Sequence, residues 1–179
     1  INRKATWYCD EVKRSPDGWR LALQVFSTTS RAEARFFSLG ILQEALGARA
    51  GAAARVTQPE DRKVLREAVF GWLQGVGPAG LEAQEIFVRI KVAVVLALLV
   101  KCDYPERWPE AFRELQGLLR GGAAYVELFL RVLGALDEEV VSFHVDRSPP
   151  EVEHNSLIKD TMRNTTAVSD ICMVIYEVV

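Results

Sequence analysis

The chain has 179 residues, of which 49% are hydrophobic and 26% are charged, and its formal net charge at pH 7 is −2. This composition is typical of a globular protein and excludes an intrinsically disordered chain. The small net charge excludes a global basic field, so a nucleic-acid partner would have to be held by local basic patches. Cys9, Cys102 and Cys172 lie far apart without metal-ligand spacing, and we expect buried or half-buried free thiols in a reducing compartment.

Apolar residues recur at three- and four-residue spacing along nearly the whole chain, which predicts helices throughout. The pattern predicts a first helix over 2–13 and a second one after Ser15-Pro16-Asp17. A third helix is expected to be capped by Ser30, and a fourth by Thr57. The alanine-rich stretch 47–54 is expected to be a linker, and the sequence GVGPAG at 75–80 is expected to break the fourth helix from the fifth.

The second half of the chain continues the same pattern. A fifth helix over 84–101 is apolar on nearly all sides, and its run VAVVLALLV is about half the roughly 20 residues of a membrane span. A sixth helix is predicted over 106–120 and a seventh around 125–136. Residues 137–153 are expected to form the longest loop. The stretch 152–179 is expected to form one bent helix or two, with a weak point at Thr165-Thr166.

Helical pairs at a period near 40 residues are typical of HEAT or armadillo repeats. The predicted fold is therefore an all-α superhelix (solenoid) of the HEAT-repeat type with about four helical pairs. A compact helical bundle is the alternative, but a helix that is apolar all round suits the middle layer of a stack. The start INRKATWYCD and the apolar end ICMVIYEVV both look cut, so we expect residues 1–179 to be N-terminal HEAT-like repeats of a longer solenoid.

No arrangement of catalytic residues emerges from the sequence, and an enzyme is not expected. His144 and His154 lie in or beside the acidic loop, where a lone histidine is usually solvated, and no nucleophile pairs with either by spacing. The glycine-rich segment at 75–80 lacks the Lys-Ser/Thr of a phosphate-binding loop. No metal site is predicted.

The segment FVRIKVAVVLALLVKCDYPERWPEAFRELQ, at 87–116, resembles the N-terminal signature of importin-β-type nuclear transport receptors. In that family an aromatic residue and a basic-x-Lys start open an apolar helix, and a YPxxWP turn leads into its partner helix. Ile90 departs from the polar residue that is common between the two basic positions. The matching positions here are Phe87, Arg89, Lys91, Tyr104, Pro105, Trp108, Pro109 and Phe112.

Within these receptors the chain is most similar to the tRNA exportins. The segments SPDGW at 15–19, ARFFSLGILQ at 34–43, LREAVFGWLQ at 65–74 and LFLRVLGALDEEVV at 128–141 resemble their first repeats in order, and NSLIKDTMR at 155–163 resembles a stretch specific to that branch.

The resemblance implies a shuttling receptor that binds the GTPase Ran in its GTP form together with mature tRNA and carries tRNA from nucleus to cytoplasm. Ran brings the GTP, so no cofactor of the chain's own is implied. The implied partners are Ran, tRNA and nuclear pore proteins, with no membrane, no DNA and a monomeric receptor. The alternatives are a karyopherin with a protein cargo, or a HEAT scaffold that does not bind Ran.

The sequence offers candidate contacts for both partners. Candidate Ran contacts surround the signature helix: Arg89, Lys91, Asp103 and Glu106. Candidate tRNA contacts are cations at helical spacing, since phosphates need positive charges over several repeats: Arg62, Lys63, Arg66, Arg113, Arg120, Lys159 and Arg163. The structural alternatives are that Arg89 ties adjacent repeats through backbone carbonyls or Asp103, and that the other cations are solvated. Trp108 is expected in the core, packing the sixth helix onto the fifth.

Overall fold

The computed structural model describes residues 3–47, 54–142 and 146–178, and these ranges contain nine α-helices and no strand. A 3₁₀ turn at Leu118–Gly121 prolongs the sixth helix, and a π-helical turn at Asp137–Val141 prolongs the seventh. The helices are α1 (Arg3–Arg14), α2 (Gly18–Thr28), α3 (Ala32–Leu46), α4 (Pro59–Glu82), α5 (Ile86–Asp103), α6 (Ala111–Gly117), α7 (Ala123–Leu136), α8 (Pro149–Asn164) and α9 (Ala167–Val178).

The helices stack in two rows. In one row α3, α5 and α7 pack side by side, and in the other α2 packs on α4 while α9 packs on α6. Helix α4 joins the rows by contacting both α5 and α7. Ten of the 18 residues of α5 are buried, as its all-round apolar sequence predicts for a helix between two neighbours. The predicted all-α, HEAT-type stack of helical pairs is confirmed.

Both predicted helix caps are wrong by one residue. Helix α3 begins at Ala32, with Arg31 rather than Ser30 at the N-cap position, because the Thr29 hydroxyl accepts the Arg31 N–H at 3.2 Å and shapes this turn instead. Helix α4 begins at Pro59, with Gln58 rather than Thr57 before it. A proline suits the first helical position, where the N–H has no partner within the helix.

The predicted break at 75–80 lies inside α4. Gly77 has φ 63° and ψ 179°, a conformation that favours glycine, and Pro78 follows it. One turn earlier, the Tyr125 hydroxyl of α7 donates a hydrogen bond of 2.5 Å to the Leu73 carbonyl. The bent end of α4 is thus held by a side chain of the following repeat.

The predicted loop 137–153 is too long. The π-helical turn continues α7 as far as Val141, and α8 begins at Pro149. Two consecutive prolines read as loop signals in a sequence, yet their fixed φ also suits the first turn of a helix. The break predicted at Thr165-Thr166 separates α8 from α9, as expected. The linker at 47–54 lies mostly outside the described residues.

Trp108 lies in the turn between α5 and α6 and is only 2% exposed, so its predicted place in the core is confirmed. Its ring meets Phe70 of α4 edge-on, with 5.9 Å between the ring centroids. The Arg107 and Trp108 N–H groups both donate to the Asp103 carbonyl, at 2.8 and 3.0 Å. The ring therefore also fastens the turn to α4, a contact that the sequence did not predict. None of the helices described here has the length and apolarity to cross a membrane.

Candidate functional site

One predicted tRNA contact and one predicted Ran contact form an ion pair with each other. Arg62 of α4 and Asp103 of α5 are 7% and 4% exposed, and Arg62 Nε lies 2.7 Å from Asp103 Oδ1. The Arg62 guanidinium also donates to the Thr57 carbonyl at 2.6 Å. Removing one member of a buried pair leaves an uncompensated charge, so both side chains hold α4 against α5.

The two basic residues of the signature helix also contact neighbouring helices. Arg89 pairs with Glu127 of α7, and Arg131 binds the same carboxylate at 2.6 Å. Lys91 donates to the Gln43 side chain of α3 at 2.5 Å. Arg89 therefore ties adjacent helices, as the structural alternative expects, but its partner is Glu127 rather than Asp103 or a carbonyl. Contact of these residues with Ran stays a prediction.

Helix α4, helix α6 and the 3₁₀ turn that prolongs α6 carry four of the predicted tRNA contacts. Lys63 is exposed, Arg113 is 76% exposed and Arg120 is exposed, whereas Arg66 is half-buried with its guanidinium 4.6 Å from the centre of the Trp108 ring. A cleft of about 640 Å³ separates the two helices, and Arg66 lines it.

Two of these cations have a carboxylate close to them. Lys63 lies 3.9 Å from Glu67, and Arg113 lies 2.5 Å from Glu110. Ion pairs between exposed side chains contribute little to stability and exchange readily with other anions. These arginines and lysines can therefore reach a phosphate without unfolding the helices that carry them.

The remaining predicted tRNA contacts lie on α8. Arg163, near the end of α8, is exposed and lies 3.1 Å from Asp160. Lys159, one turn earlier, is half-buried beside Asn155 and Arg147. Glu106 is exposed in the turn after α5.

Arg66 lines the cleft between α4 and α6, whereas Arg113 lines a different cleft that Asp170 of α9 also lines. A common tRNA surface formed by these cations stays a prediction.

A polar cluster at Lys101 was missed by the sequence reasoning. Lys101, in the last turn of α5, lies 2.7 Å from Glu151 of α8 and 3.4 Å from Glu139 of the π-helical turn. His154 Nε2 donates to the Lys101 carbonyl at 2.5 Å. Glu139, Glu151 and His154 all lie in or beside the segment predicted to be the longest loop. A loop prediction does not indicate that these three residues contact Lys101. His144 lies outside the described residues.

The thiols are free, and Cys9 and Cys102 are half-buried, as is typical of free cysteines in a reducing compartment. The expectation that all three would be at least half-buried is wrong for Cys172, which is exposed. Burial raises the pKa of the Cys102 thiol, and the nearby positive charges of Arg62 and Lys101 offset part of that rise. Among the described residues no group of three or more His, Cys, Asp or Glu side chains has the geometry of a metal site.

Residues 85–179 match the family described as Exportin 1-like protein. The chain belongs to this exportin family. It is 34% identical to Exportin-T of Dictyostelium discoideum over 178 residues, which are 99% of this chain and 16% of that protein. It is 31% identical to Exportin-T of Homo sapiens over 167 residues, which are 91% of this chain and 17% of the human protein.

Exportin-T of Arabidopsis thaliana is 28% identical over an alignment of 180 positions, which covers 100% of this chain and 18% of that protein. The resemblance to the tRNA exportins is thus confirmed along nearly the whole chain. The chain spans less than a fifth of the length of these exportins.

Proposed function

We propose that this exportin chain belongs to a nuclear export receptor that binds Ran-GTP and mature tRNA cooperatively and carries tRNA through the nuclear pore to the cytoplasm. The observation that supports this proposal is the similarity to exportin-T proteins from an amoeba, an animal and a plant over 91–100% of the chain. The receptor shuttles as a monomer and contacts nuclear pore proteins. It has no catalytic role, and the GTP belongs to Ran.

The exposed and half-buried cations of the predicted set are the proposed tRNA contacts. Lys63, Arg66, Arg113 and Arg120 present positive charges from α4 and α6, and Lys159 and Arg163 present two more from α8. Phosphate contacts of this kind position a nucleic acid by its backbone and shape, without reading bases. Arg62 contributes indirectly, because its buried pair with Asp103 fixes α4.

The proposed Ran surface lies around the signature helix. Glu106 is the exposed member of the predicted set and is the direct contact that we propose. Arg89, Lys91 and Asp103 hold α5 against α7, α3 and α4, so they would set the position of the surface that Ran meets.

The test is tRNA binding by the full-length protein, measured by filter retention with and without Ran loaded with a non-hydrolysable GTP analogue. A coupling free energy of about 1–3 kcal/mol predicts about 5–150-fold tighter tRNA binding with Ran. Equal tRNA affinity with and without Ran-GTP would contradict the cooperative exporter. If the receptor loaded with Ran-GTP retains protein instead of RNA from a nuclear extract, it carries a protein cargo. If the receptor does not bind Ran at all, it is a HEAT scaffold.

A matched pair of charge reversals tests the surface. Arg113→Glu should weaken tRNA binding and reduce the slope of log affinity against log salt by about one for each phosphate that the side chain no longer neutralises. Arg14→Glu makes the same charge change on α1, which carries none of the predicted tRNA contacts, and should leave that slope unchanged. If both variants weaken binding equally, the predicted contacts on α4 and α6 have no specific role.

A further inference from the structure

The sequence Arg-Ser-Pro occurs twice, at Arg14-Ser15-Pro16 and at Arg147-Ser148-Pro149, each time just before a helix. A proline pushes the preceding residue towards extended backbone, the conformation in which a protein kinase takes up its substrate. Sequence alone treats the two serines alike. Their surroundings in the fold differ in ways that decide which one an enzyme can reach.

Ser148 lies at the protein surface. The residue is exposed, its backbone is extended with φ −66° and ψ 152°, and its side chain makes no capping hydrogen bond to α8. The two residues before it, Asp146 and Arg147, are also outside any helix. The surface position of Ser148 therefore has non-helical backbone before it and the first turn of α8 directly after it.

Ser15 is enclosed in the tight turn between α1 and α2. Its N–H donates to the Glu11 carbonyl at 2.9 Å, and its carbonyl accepts the Gly18 N–H at 3.1 Å. The residue is half-buried, and a Cβ added at Gly18 would lie 1.8 Å from the Val12 carbonyl oxygen. Fitting Ser15 into an extended substrate groove would require this turn to open.

We propose that Ser148 is a phosphorylation site for a serine/threonine kinase that selects proline directly after the acceptor. The Ser148 Oγ attacks the γ-phosphorus of ATP and its proton passes to the general base of the kinase. The bond from that phosphorus to the bridging oxygen breaks, and ADP leaves. The proposal is independent of the cargo that the receptor carries.

The phosphate would enter a cleft that is already acidic. Ser148 shares this cleft with the cations Lys101 and Arg147 and with four carboxylates: Glu138, Glu139, Asp146 and Glu151. A phosphoserine adds about 1.5–2 negative charges at neutral pH. Both cations are already paired, Lys101 with Glu139 and Glu151, and Arg147 with Glu151 and backbone carbonyls. A new dianion must therefore compete with Glu151 for Lys101.

The start of α8 offers that dianion little compensation. Pro149 and Pro150 have no N–H, and the Val152 N–H donates to the Ser148 carbonyl at 3.0 Å. Of the first four helical positions, only Glu151 keeps an N–H that could face the phosphate. Repulsion therefore outweighs capping, and phosphorylation weakens the attachment of α8 to α5.

The experiment treats the full-length protein with ATP and a proline-directed kinase and locates the added phosphoryl groups by peptide mass spectrometry. Ser148 should be modified at least about tenfold faster than Ser15, since a local opening that costs about 1.4 kcal/mol already gives that ratio. Ser148→Ala should remove the phosphate from the peptide that contains position 148, and Ser15→Ala should leave the phosphorylation of Ser148 unchanged. Absence of phosphate at Ser148, or equal rates at the two serines, overturns the proposal.

Amide hydrogen exchange tests the consequence. The protein phosphorylated at Ser148 should exchange faster in α8 than the unmodified protein, with α5 unchanged. Phosphorylated protein in which α8 exchanges at the same rate or more slowly would refute the proposed loosening. Unmodified Ser148→Ala protein serves as the control for the loss of the hydroxyl alone.

Discussion

Helices α5 and α8 are similar in length but are held in place by different forces. Ten of the 18 residues of α5 are buried, all apolar except Asp103, whereas two of the 16 residues of α8 are buried, Asn155 and Ile158. Helix α5 lies between α3 and α7, while α8 meets α5 through Lys101 and the His154 ring. Apolar contacts carry no charge, whereas ion pairs are screened by salt and respond to an added charge nearby.

The difference indicates which helices are fixed by apolar packing and which can shift when a partner or a charge is added. The signature around α5 holds the stack together, so its aromatic and basic residues are explained by packing before any partner is considered. Helix α8 carries the exposed Arg163 and begins directly after Ser148. Partner contacts and modification are expected at helices of this second kind.

The largest effect on stability is expected from Trp108→Ala, in the turn that follows α5. Removing this ring leaves a cavity against Phe70 and should lower the free energy of unfolding by about 3–5 kcal/mol. Urea unfolding followed by circular dichroism measures it. A decrease of only a few tenths of a kcal/mol would mean that the turn does not fasten α6 to the stack.

Lys101→Met tests the contact between the two regions. It leaves the Glu139 and Glu151 carboxylates without their shared cation and should cost about 1–3 kcal/mol, with faster amide exchange in α8 than in α5. Lys63→Met is the matched control, because its exposed pair with Glu67 should be worth less than about 1 kcal/mol. If the two variants are destabilised equally, the Lys101 ion pairs contribute no more than an exposed pair. The conclusion that ion pairs hold α8 in place would then be wrong.

Tyr125→Phe should have a smaller effect. It removes the hydroxyl that donates to the Leu73 carbonyl and should lower the unfolding free energy by about 0.5–1.5 kcal/mol without a cavity. Chemical denaturation of the two proteins side by side measures the difference. An unchanged stability would show that water replaces the hydroxyl at the bend of α4.

The smallest expected effect concerns the chemical reactivity of the cysteine thiols and involves no change in stability. A maleimide should label the exposed Cys172 of α9 promptly, and Cys102 at the end of α5 slowly. Burial raises the pKa of Cys102, so its thiol stays protonated and unreactive until the pH is higher than for an ordinary cysteine. Labelling across a pH series, with mass spectrometry of each cysteine peptide, checks this. Equal rates in denaturant would confirm that the fold causes the difference.

The sequence predicted what depends on local pattern. The burial of α5, the break at Gly77-Pro78 and the division of the last stretch at Thr165-Thr166 follow from periodicity and from the backbone preferences of single residues. The resemblance of the segment 87–116 led to the exportin family through the same local features.

Pairings over long separations could not be predicted. Arg62 and Asp103 are 41 residues apart, and each was assigned to a different partner because nothing local shows that they meet. The cluster at Lys101 joins residues up to 53 positions apart. The caps at Ser30 and Thr57 failed for a local reason, since the neighbouring Thr29 hydroxyl and Pro59 shape those turns.

The hydrogen bond from Tyr125 to the Leu73 carbonyl also bears on how such repeats can be rearranged. Pro78 has no N–H for the Gln74 carbonyl, so the end of α4 is weakened from within and is held in part by a side chain of the next repeat. A helical pair cut at its own loops would leave that side chain behind. Transplanting α4 and α5 into another solenoid would therefore require Tyr125 to be grafted with them.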